Sequence, residues 1–243
     1  MRADLGGKRA LITGASGGLG RHFAGVLAAN GAEVLLAARR TEALSEAVAE
    51  IGVAAHAIAM DVTDQGSVDA AFEAAGQIDI LINNAGVTLT KRALEIEEAE
   101  WERILQTNLT GAWRVAQAGA RAMGEGGSLI NIASILGIRV SGGVLPYCVS
   151  KAGVVQMTKA LALEWARLGI RVNALAPGYI ETDINRDFFA TEAGQALIKR
   201  IPQRRLGQME DLDGPLLLLA SDASRFMTGT VVEVDGGHLV SGL

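Results

Sequence analysis

Short apolar runs and helical patterns alternate along this chain from end to end. The apolar runs are five to seven residues long, and a polar or turn-forming residue follows each of them, as is typical of buried strands. The predicted strands are Lys8–Thr13, Glu33–Ala38, Ala54–Met60, Ile78–Ile82, Ser128–Ile132, Arg171–Ala176 and Thr230–Val234.

The segments between these strands carry apolar residues three or four positions apart, which is the period of an α-helix. The predicted helices are a segment ending at Asn30-Gly31, Thr41–Glu50 with Thr41 as a candidate cap, Asp64–Ala75, Glu97–Met123, a helix through Tyr147 that ends near Leu168, and Asp211–Ala220. Residues 183–207 are predicted to be irregular or short-helical. Alternating strands and helices predict an α/β fold: one doubly wound, Rossmann-type domain over residues 1–243. Its parallel sheet of about seven strands has helices on both faces, with right-handed crossovers.

Turn-forming and polar residues collect where the predicted strands end. They are Gly14–Gly20, Ala38–Arg40, Asp61, Asn83–Gly86, Ser134 and Pro177-Gly178. Ligands of doubly wound sheets bind at the carboxyl ends of the strands. This coincidence predicts a single site at that edge.

The first strand-to-helix turn has the spacing of a dinucleotide-binding loop. Gly14, Gly18 and Gly20 lie between a predicted strand and a predicted helix, and Ser16 and Leu19 complete the loop. Glycines there allow a tight turn and a close approach of the backbone to a pyrophosphate at the helix N-terminus. A glycine turn with a merely structural role is the alternative.

The end of the second strand indicates which dinucleotide binds. A carboxylate there would bind the ribose 2′-hydroxyl of NAD(H), whereas this chain has Ala38, Arg39 and Arg40. Guanidinium groups pair well with a dianionic phosphate, so the prediction is NADP(H), with NAD(H) as the alternative. The other interpretation is that one or both of Arg39 and Arg40 are ordinary solvated charges.

The third strand ends at Asp61, followed by Val62. The Asp61 carboxylate is predicted to accept a hydrogen bond from the adenine amino group, with Val62 packing beside it. The alternative is that Asp61 caps the helix that starts near Thr63 or Asp64.

Tyr147 and Lys151 are four residues apart in a helical pattern, so both side chains are predicted to lie on one face. A free tyrosine has a pKa of about 10, too high for proton transfer near neutral pH. A nearby cation lowers that pKa, and the pair is then a candidate general acid/base.

The composition argues against several other classes of function. The net charge is −5 and no basic block is present, which disfavours nucleic-acid binding. The one cysteine, Cys148, excludes an intramolecular disulfide, and the scattered His22, His56 and His238 indicate no metal site. No apolar run approaches the roughly 18 residues of a membrane span, and the N-terminus lacks a signal-peptide core. We therefore expect a soluble cytoplasmic protein without membrane partners.

Taken together, these motifs resemble those of the short-chain dehydrogenase/reductase family over nearly the whole chain, from Lys8 to Gly237. The matching residues are Thr13-Gly14-xxx-Gly18-x-Gly20, Asp61, Asn83-Asn84-Ala85-Gly86, Asn108, Ser134, Tyr147-xxx-Lys151, Pro177-Gly178 and Asp235-Gly236-Gly237. One departure is Gly17, at a loop position where NADP-preferring members often carry a basic residue.

The resemblance implies a reductase that transfers hydride to a ketone. Tyr147 would donate the proton, Ser134 would hold the carbonyl oxygen, and Lys151 would lower the Tyr147 pKa and hold the nicotinamide ribose. Asn108 would interrupt the long helix and hold a water that links Lys151 to solvent. The other residues implied at the cofactor are Asn83, Ala85, Gly86, Pro177, Gly178, Ile180 and Thr182.

The substrate is not determined by these motifs. Residues 87–96, 135–145 and 183–207 should wall the pocket, and the last segment is a candidate lid in which Phe188 and Phe189 either close over the substrate or anchor the lid to the body. The chain resembles both 3-oxoacyl-acyl-carrier-protein reductases and gluconate 5-dehydrogenase-like reductases, and a broad ketone or β-keto ester reductase is also open.

The resemblance also implies an assembly, usually a homotetramer, for which a dimer is the alternative. Its contacts would be the Tyr147 helix with Glu97–Met123, and the last helix with the last strand. A non-catalytic nucleotide-binding sensor or scaffold of the same fold, and a lyase or epimerase, are the alternative functions.

Overall fold

A single parallel sheet contains all seven strands of the described chain. The computed structural model describes residues 3–182 and 185–241. The strands are β1 (Arg9–Thr13), β2 (Glu33–Ala38), β3 (Ala55–Ala59), β4 (Ile80–Asn83), β5 (Gly127–Ile132), β6 (Ile170–Pro177) and β7 (Val231–Val234). Their order across the sheet is β3-β2-β1-β4-β5-β6-β7. The order reverses between β1 and β4, where doubly wound sheets bind their ligands. The predicted Rossmann-type fold is confirmed.

Helices cover both faces of the sheet. They are α1 (Gly18–Ala29), α2 (Thr41–Ile51), α3 (Gln65–Ala75), α4 (Glu98–Leu105), α5 (Ala112–Ala122), α6 (Leu145–Trp165), α7 (Arg186–Ala190), α8 (Glu192–Ile198) and α9 (Asp213–Ala220). Alternate strand residues point to opposite faces. Thus Ile12 packs with Phe23 and Leu216 on one face, while Leu11 packs with Phe72 and Val115 on the other.

The predicted helix Glu97–Met123 is interrupted at Asn108, as the resemblance implies. A π-helical turn, Gln106–Gly111, separates α4 from α5, and Asn108 lies in it. The Asn108 side chain bonds both backbone groups of Val87, which draws this turn toward the loop after β4. Such wide turns are frequent at functional sites. A π-helical turn contains only one more residue than an α-helical turn, so the spacing of apolar residues along the sequence does not reveal it.

One smaller expectation changes and another is met. Thr41 is the first residue of α2 and makes no side-chain cap, since Arg40 occupies the N-cap position. The candidate lid, residues 183–207, contains the short helices α7 and α8 as predicted, although its first two residues, Asp183 and Ile184, lie outside the described residues.

Within the described ranges, no helix is both long enough and apolar enough to cross a membrane.

Candidate active site

Tyr147 and Lys151 lie in the first two turns of α6 and share one face of it, as predicted. Lys151 Nζ lies 5.6 Å from the centre of the Tyr147 ring. It donates a hydrogen bond of 2.7 Å to the carbonyl oxygen of Ile132, the last residue of β5. Burial lowers the pKa of Lys151 to about 8. The ammonium group is therefore held over the phenol ring and is unusually easy to deprotonate.

Ser134 follows β5 and hydrogen-bonds the Tyr147 phenol. Its hydroxyl oxygen also accepts a 3.1 Å bond from the backbone N–H of Leu136, which fixes its orientation. The phenol and the Ser134 hydroxyl are thus adjacent, as two groups that hold one carbonyl oxygen must be.

The pKa of Tyr147 is raised, so the expected lowering by Lys151 is not what the structure shows. Burial is the largest cause, and it outweighs the hydrogen bond from Ser134. Removing the phenolate from water is costly, and Lys151 Nζ lies over the ring and is bonded to Ile132. Tyr147 is consequently protonated at neutral pH, as a proton donor must be.

Asn108 connects three segments of the site. Its Oδ1 accepts from the Val87 N–H at 2.8 Å, and its Nδ2 donates to the Val87 carbonyl at 2.8 Å and to Ser150 Oγ at 3.1 Å. Ser150 Oγ in turn donates to the Tyr147 carbonyl at 2.8 Å. Ser150 had no predicted role, although its hydroxyl precedes Lys151 on a helix otherwise packed with apolar residues.

The glycine loop has the geometry that the sequence motif predicts. Gly14 has a φ of +67°, and a Cβ there would lie 3.0 Å from the Cα of Ala85. At Gly20 a Cβ would lie 2.5 Å from the Gly14 carbonyl oxygen. A Cβ on Gly18, whose φ is +52°, would meet no described atom within 4 Å. The first and third glycines thus allow close packing, and the second faces open space at the start of α1.

Two hydrogen-bond sets join the end of β4 to the ends of β1 and β5 and to the start of α5. Thr13 Oγ1 accepts from the N–H groups of Asn84 and Ala85 at 2.9 and 3.0 Å. Asn83 Nδ2 donates to the Ala112 carbonyl at 2.7 Å and to Asn131 Oδ1 at 3.1 Å. These bonds hold the strand ends together under the site.

Gly86 lies beside two of the candidate catalytic side chains. A Cβ at this position would be 3.4 Å from Asn108 Oδ1 and 3.7 Å from Lys151 Nζ. The candidate residues that follow β4 and those near the start of α6 therefore lie together.

Both arginines after β2 lie next to the predicted nucleotide pocket. Arg40 Nη2 donates to Ser16 Oγ in the glycine loop at 3.1 Å. Arg39 is largely exposed, with Nη1 4.0 Å from Asp61 Oδ2. The Arg40–Ser16 contact favours a role at the nucleotide over that of an isolated solvated charge.

Asp61 does not cap the next helix. Its Oδ1 accepts from the backbone N–H and the hydroxyl of Thr63 at 2.9 and 2.7 Å. Burial raises the Asp61 pKa, but these bonds outweigh it and the net pKa is lowered. The N-cap of α3 is Asp64, which accepts from the Ser67 N–H. Val62 is buried beside Asp61.

Pro177 ends β6, and Gly178 packs against the loop after β7. A Cβ on Gly178 would lie 2.8 Å from the Cα of Asp235. Ile180 is buried, and its carbonyl accepts from Asn185 Nδ2, while the Thr182 N–H donates to Asn185 Oδ1. This segment leads from the strand end to the candidate lid.

The two lid phenylalanines differ in their surroundings. Phe189 is 5% exposed and packs edge-on against Tyr179, so it anchors the lid to the body. Phe188 is 49% exposed, with its ring centre 5.2 Å from that of Phe189. Only Phe188 remains available to close over a substrate.

The fold and the site together define a class. A glycine loop at the switch point of a doubly wound sheet is typical of dinucleotide binding. A protonated tyrosine beside a serine hydroxyl and a buried lysine can give a proton to a carbonyl oxygen. The class is therefore a dinucleotide-dependent oxidoreductase that acts on alcohol and carbonyl groups.

Known proteins agree with this class. A family model described as enoyl-(acyl carrier protein) reductase matches residues 14–238. Gluconate 5-dehydrogenase of Gluconobacter oxydans is 41% identical over 98% of this chain and 97% of its own. The 3-oxoacyl-[acyl-carrier-protein] reductase of Escherichia coli is 37% identical over 95% of this chain and 97% of its own. The chain belongs to the short-chain dehydrogenase/reductase family.

Solved structures show the same relationship. A gluconate 5-dehydrogenase from Burkholderia cenocepacia, in complex with NADP and tartrate, is 39% identical to this chain. The two superpose with a TM-score of 0.93, covering 98% of this chain and 97% of the other.

Proposed function

We propose that this protein is an NADP(H)-dependent reductase that converts a ketone reversibly into a secondary alcohol. The observation that carries the proposal is the protonated Tyr147 phenol, hydrogen-bonded to Ser134 and covered by Lys151. Residues 1–243 would act as one domain.

The residues of the nucleotide pocket fit NADP(H). The open space at Gly18 suits the pyrophosphate at the N-terminus of α1. Arg39 and Arg40 would hold the 2′-phosphate, since Ala38 supplies no carboxylate to compete with it. Asp61 and Val62 would hold the adenine, while Ile180 and Thr182 would contact the carboxamide.

Bound NADPH would supply the hydride, and the chain's own residues would supply the proton and the charge stabilisation. Tyr147 would donate its proton to the carbonyl oxygen as negative charge develops there. The Ser134 hydroxyl would donate a second hydrogen bond to the same oxygen. Because the Tyr147 pKa is raised, the neutral acid predominates near pH 7, which favours the reductive direction.

Lys151 would hold the nicotinamide ribose and return a proton to Tyr147. Its lowered pKa, about 8, makes this transfer easier than from an ordinary lysine. Asn108, beside Gly86 and Lys151, would hold the water that refills Lys151 from solvent.

Assembly and location are part of the proposal. On α5 and α6, Trp113, Val149 and Leu163 are 45%, 40% and 83% exposed, so these helices carry apolar groups on a second face. A homotetramer built on this face, and on α9 with β7, would bury them; a dimer would bury one such face. The enzyme would be cytoplasmic.

The test is a reduction assay. Pure protein is mixed with NADPH or NADH and with an acetoacetyl thioester, a β-keto ester, an aromatic ketone or 5-ketogluconate, and the absorbance of reduced nicotinamide is followed. We expect consumption of NADPH with at least one ketone, and slower consumption of NADH. A protein that binds NADPH yet consumes none with any of these ketones contradicts the proposal and favours a non-catalytic sensor. Preference for NADH would overturn only the choice of cofactor.

Arg39→Gln should weaken NADPH binding selectively. The exposed guanidinium is available for the 2′-phosphate, so its loss should raise KM for NADPH about ten- to hundredfold and leave that for NADH unchanged. Arg167→Gln, which removes an exposed charge from the turn after α6, is the matched control. An equal effect on both cofactors would show that Arg39 does not contact the 2′-phosphate.

A further inference from the structure

A second tyrosine stands beside the catalytic one. Tyr179 follows Pro177-Gly178 at the end of β6, and its phenol raises the pKa of Tyr147, so the two rings are close. The Tyr179 hydroxyl is hydrogen-bonded to Ser141, in the loop between β5 and α6. Nothing in the proton transfer described above uses Tyr179.

A histidine from the C-terminal segment covers the other side of Tyr179. The rings of His238 and Tyr179 lie 5.5 Å apart at an angle of 39°. Over residues 3–182 and 185–241, His238 Nδ1 is the one buried side-chain nitrogen or oxygen without a hydrogen-bond partner. A buried polar atom of this kind calls for a ligand or a water, because leaving it unpaired is costly.

Arg139 connects the same loop to the C-terminal segment. Its Nη1 donates to the His238 carbonyl oxygen at 2.8 Å and to Ser241 Oγ at 3.2 Å. Burial raises the pKa of Tyr179 and lowers that of His238, and the Arg139 charge opposes the first shift and adds to the second, so the guanidinium lies close to both rings. In the described part of the chain, Nε and Nη2 of Arg139 have no hydrogen-bond partner.

The electrostatics of this cluster favour an anion. Burial and the charges of Arg139 and Arg200 lower the His238 pKa, against the opposing effect of Asp235. The Asp235 carboxylate is already engaged, because its oxygens accept from the N–H groups of Gly237 and Leu239 at 2.8 and 2.6 Å. Two arginine charges therefore face one carboxylate next to an unpaired imidazole nitrogen.

We propose that Arg139, Tyr179 and His238 form the subsite that binds the carboxylate of the substrate, and that the substrate is a small hydroxylated keto acid. Arg139 would form charge-assisted bonds to the carboxylate, and the Tyr179 hydroxyl and His238 Nδ1 would bond the carboxylate or an adjacent hydroxyl. The proposal rests on the ketone reduction proposed above, and it selects a substrate class that the catalytic residues leave open.

The experiment compares two ketones that differ only in the proposed anchor. L-sorbose has a CH₂OH group in place of the carboxylate of 5-ketogluconate. Both are reduced with NADPH by wild type, Arg139→Gln, Arg139→Lys and the control Arg225→Gln, whose arginine is exposed in the connection between α9 and β7. An acetoacetyl thioester, which has no carboxylate, reports on ketone reduction in general.

We expect wild type to prefer 5-ketogluconate to L-sorbose. Arg139→Gln should raise KM for 5-ketogluconate about ten- to hundredfold and leave kcat and all L-sorbose parameters unchanged. Arg139→Lys should recover part of the loss, since it retains the charge. The control should behave as wild type.

Other results separate the two proposals. If the thioester or L-sorbose is reduced at least as well as 5-ketogluconate, the proposed carboxylate subsite is wrong, but the proposed ketone reduction is still supported. Equal losses on both sugars in Arg139→Gln would show a structural role for Arg139 and also overturn the subsite. If no ketone is reduced by the NADPH-bound wild type, the reductase itself fails.

Discussion

Tyr147→Phe is expected to lose about a hundred- to ten-thousandfold in kcat while binding NADPH as tightly as wild type. The substitution removes one oxygen and keeps the ring that lies below Lys151 Nζ. The carbonyl oxygen would then lack its proton donor, and the Ser134 hydroxyl alone would stabilise the developing charge. Cofactor binding should persist because the glycine loop and Arg39 are positioned by β1, α1 and β2, which the substitution does not change.

Three measurements are needed for this variant. Steady-state reduction gives kcat, quenching of protein fluorescence gives the Kd for NADPH, and thermal unfolding shows that the fold is intact. Tyr179→Phe removes the neighbouring phenol and is the matched control when the ketone has no carboxylate, such as the acetoacetyl thioester, because its turnover should then persist. Full activity of Tyr147→Phe would eliminate Tyr147 as the proton donor.

Lys151→Met should change stability as well as activity. A lysine with an ordinary pKa of 10.5 in the unfolded chain and about 8 in the fold binds its proton less well when folded. Below pH 8 the buried ammonium therefore destabilises the wild type, by about 3 kcal/mol relative to a lysine of ordinary pKa. As pH rises from 8 toward 10.5, only the unfolded chain still holds the proton, so wild-type stability increases.

The difference between the two proteins isolates this effect. Urea unfolding is measured for wild type and Lys151→Met at pH 7, 8.5 and 10. Over this range the free energy of unfolding of the wild type should increase, relative to that of the variant, by most of about 3 kcal/mol. Other titrating groups cancel in the difference. A difference that is independent of pH would mean that the Lys151 pKa is not lowered. The variant should also lose turnover, because nothing would return a proton to Tyr147.

Much of the fold could be predicted because local patterns determine it. Buried parallel strands are short apolar runs, and the Glu33–Ala38 run coincides with β2 at both ends. The residues predicted at the strand ends also lie near one another, because parallel strands that alternate with helices place their carboxyl ends at one edge of the sheet. Gly14 and Gly20 were correctly placed because their roles depend on the absence of a side chain.

Other features depend on contacts between distant segments. The π-helical turn at Asn108 exists because that side chain bonds Val87, 21 residues earlier. The raised pKa of Tyr147 depends on burial by surrounding elements, whereas i, i+4 spacing shows only that Lys151 is nearby. The distinction between Phe188 and Phe189 likewise depends on which ring meets Tyr179.

The sequence by itself determined the sheet, the order of its elements and the residues at its functional edge, because periodicity and glycine geometry act over a few residues. Only the tertiary structure decided the raised pKa of Tyr147, the π-helical form of the interruption at Asn108 and the meeting of Arg139, Tyr179 and His238. Those properties depend on burial and charge, which are set by residues up to a hundred positions apart that the fold brings within a few ångströms.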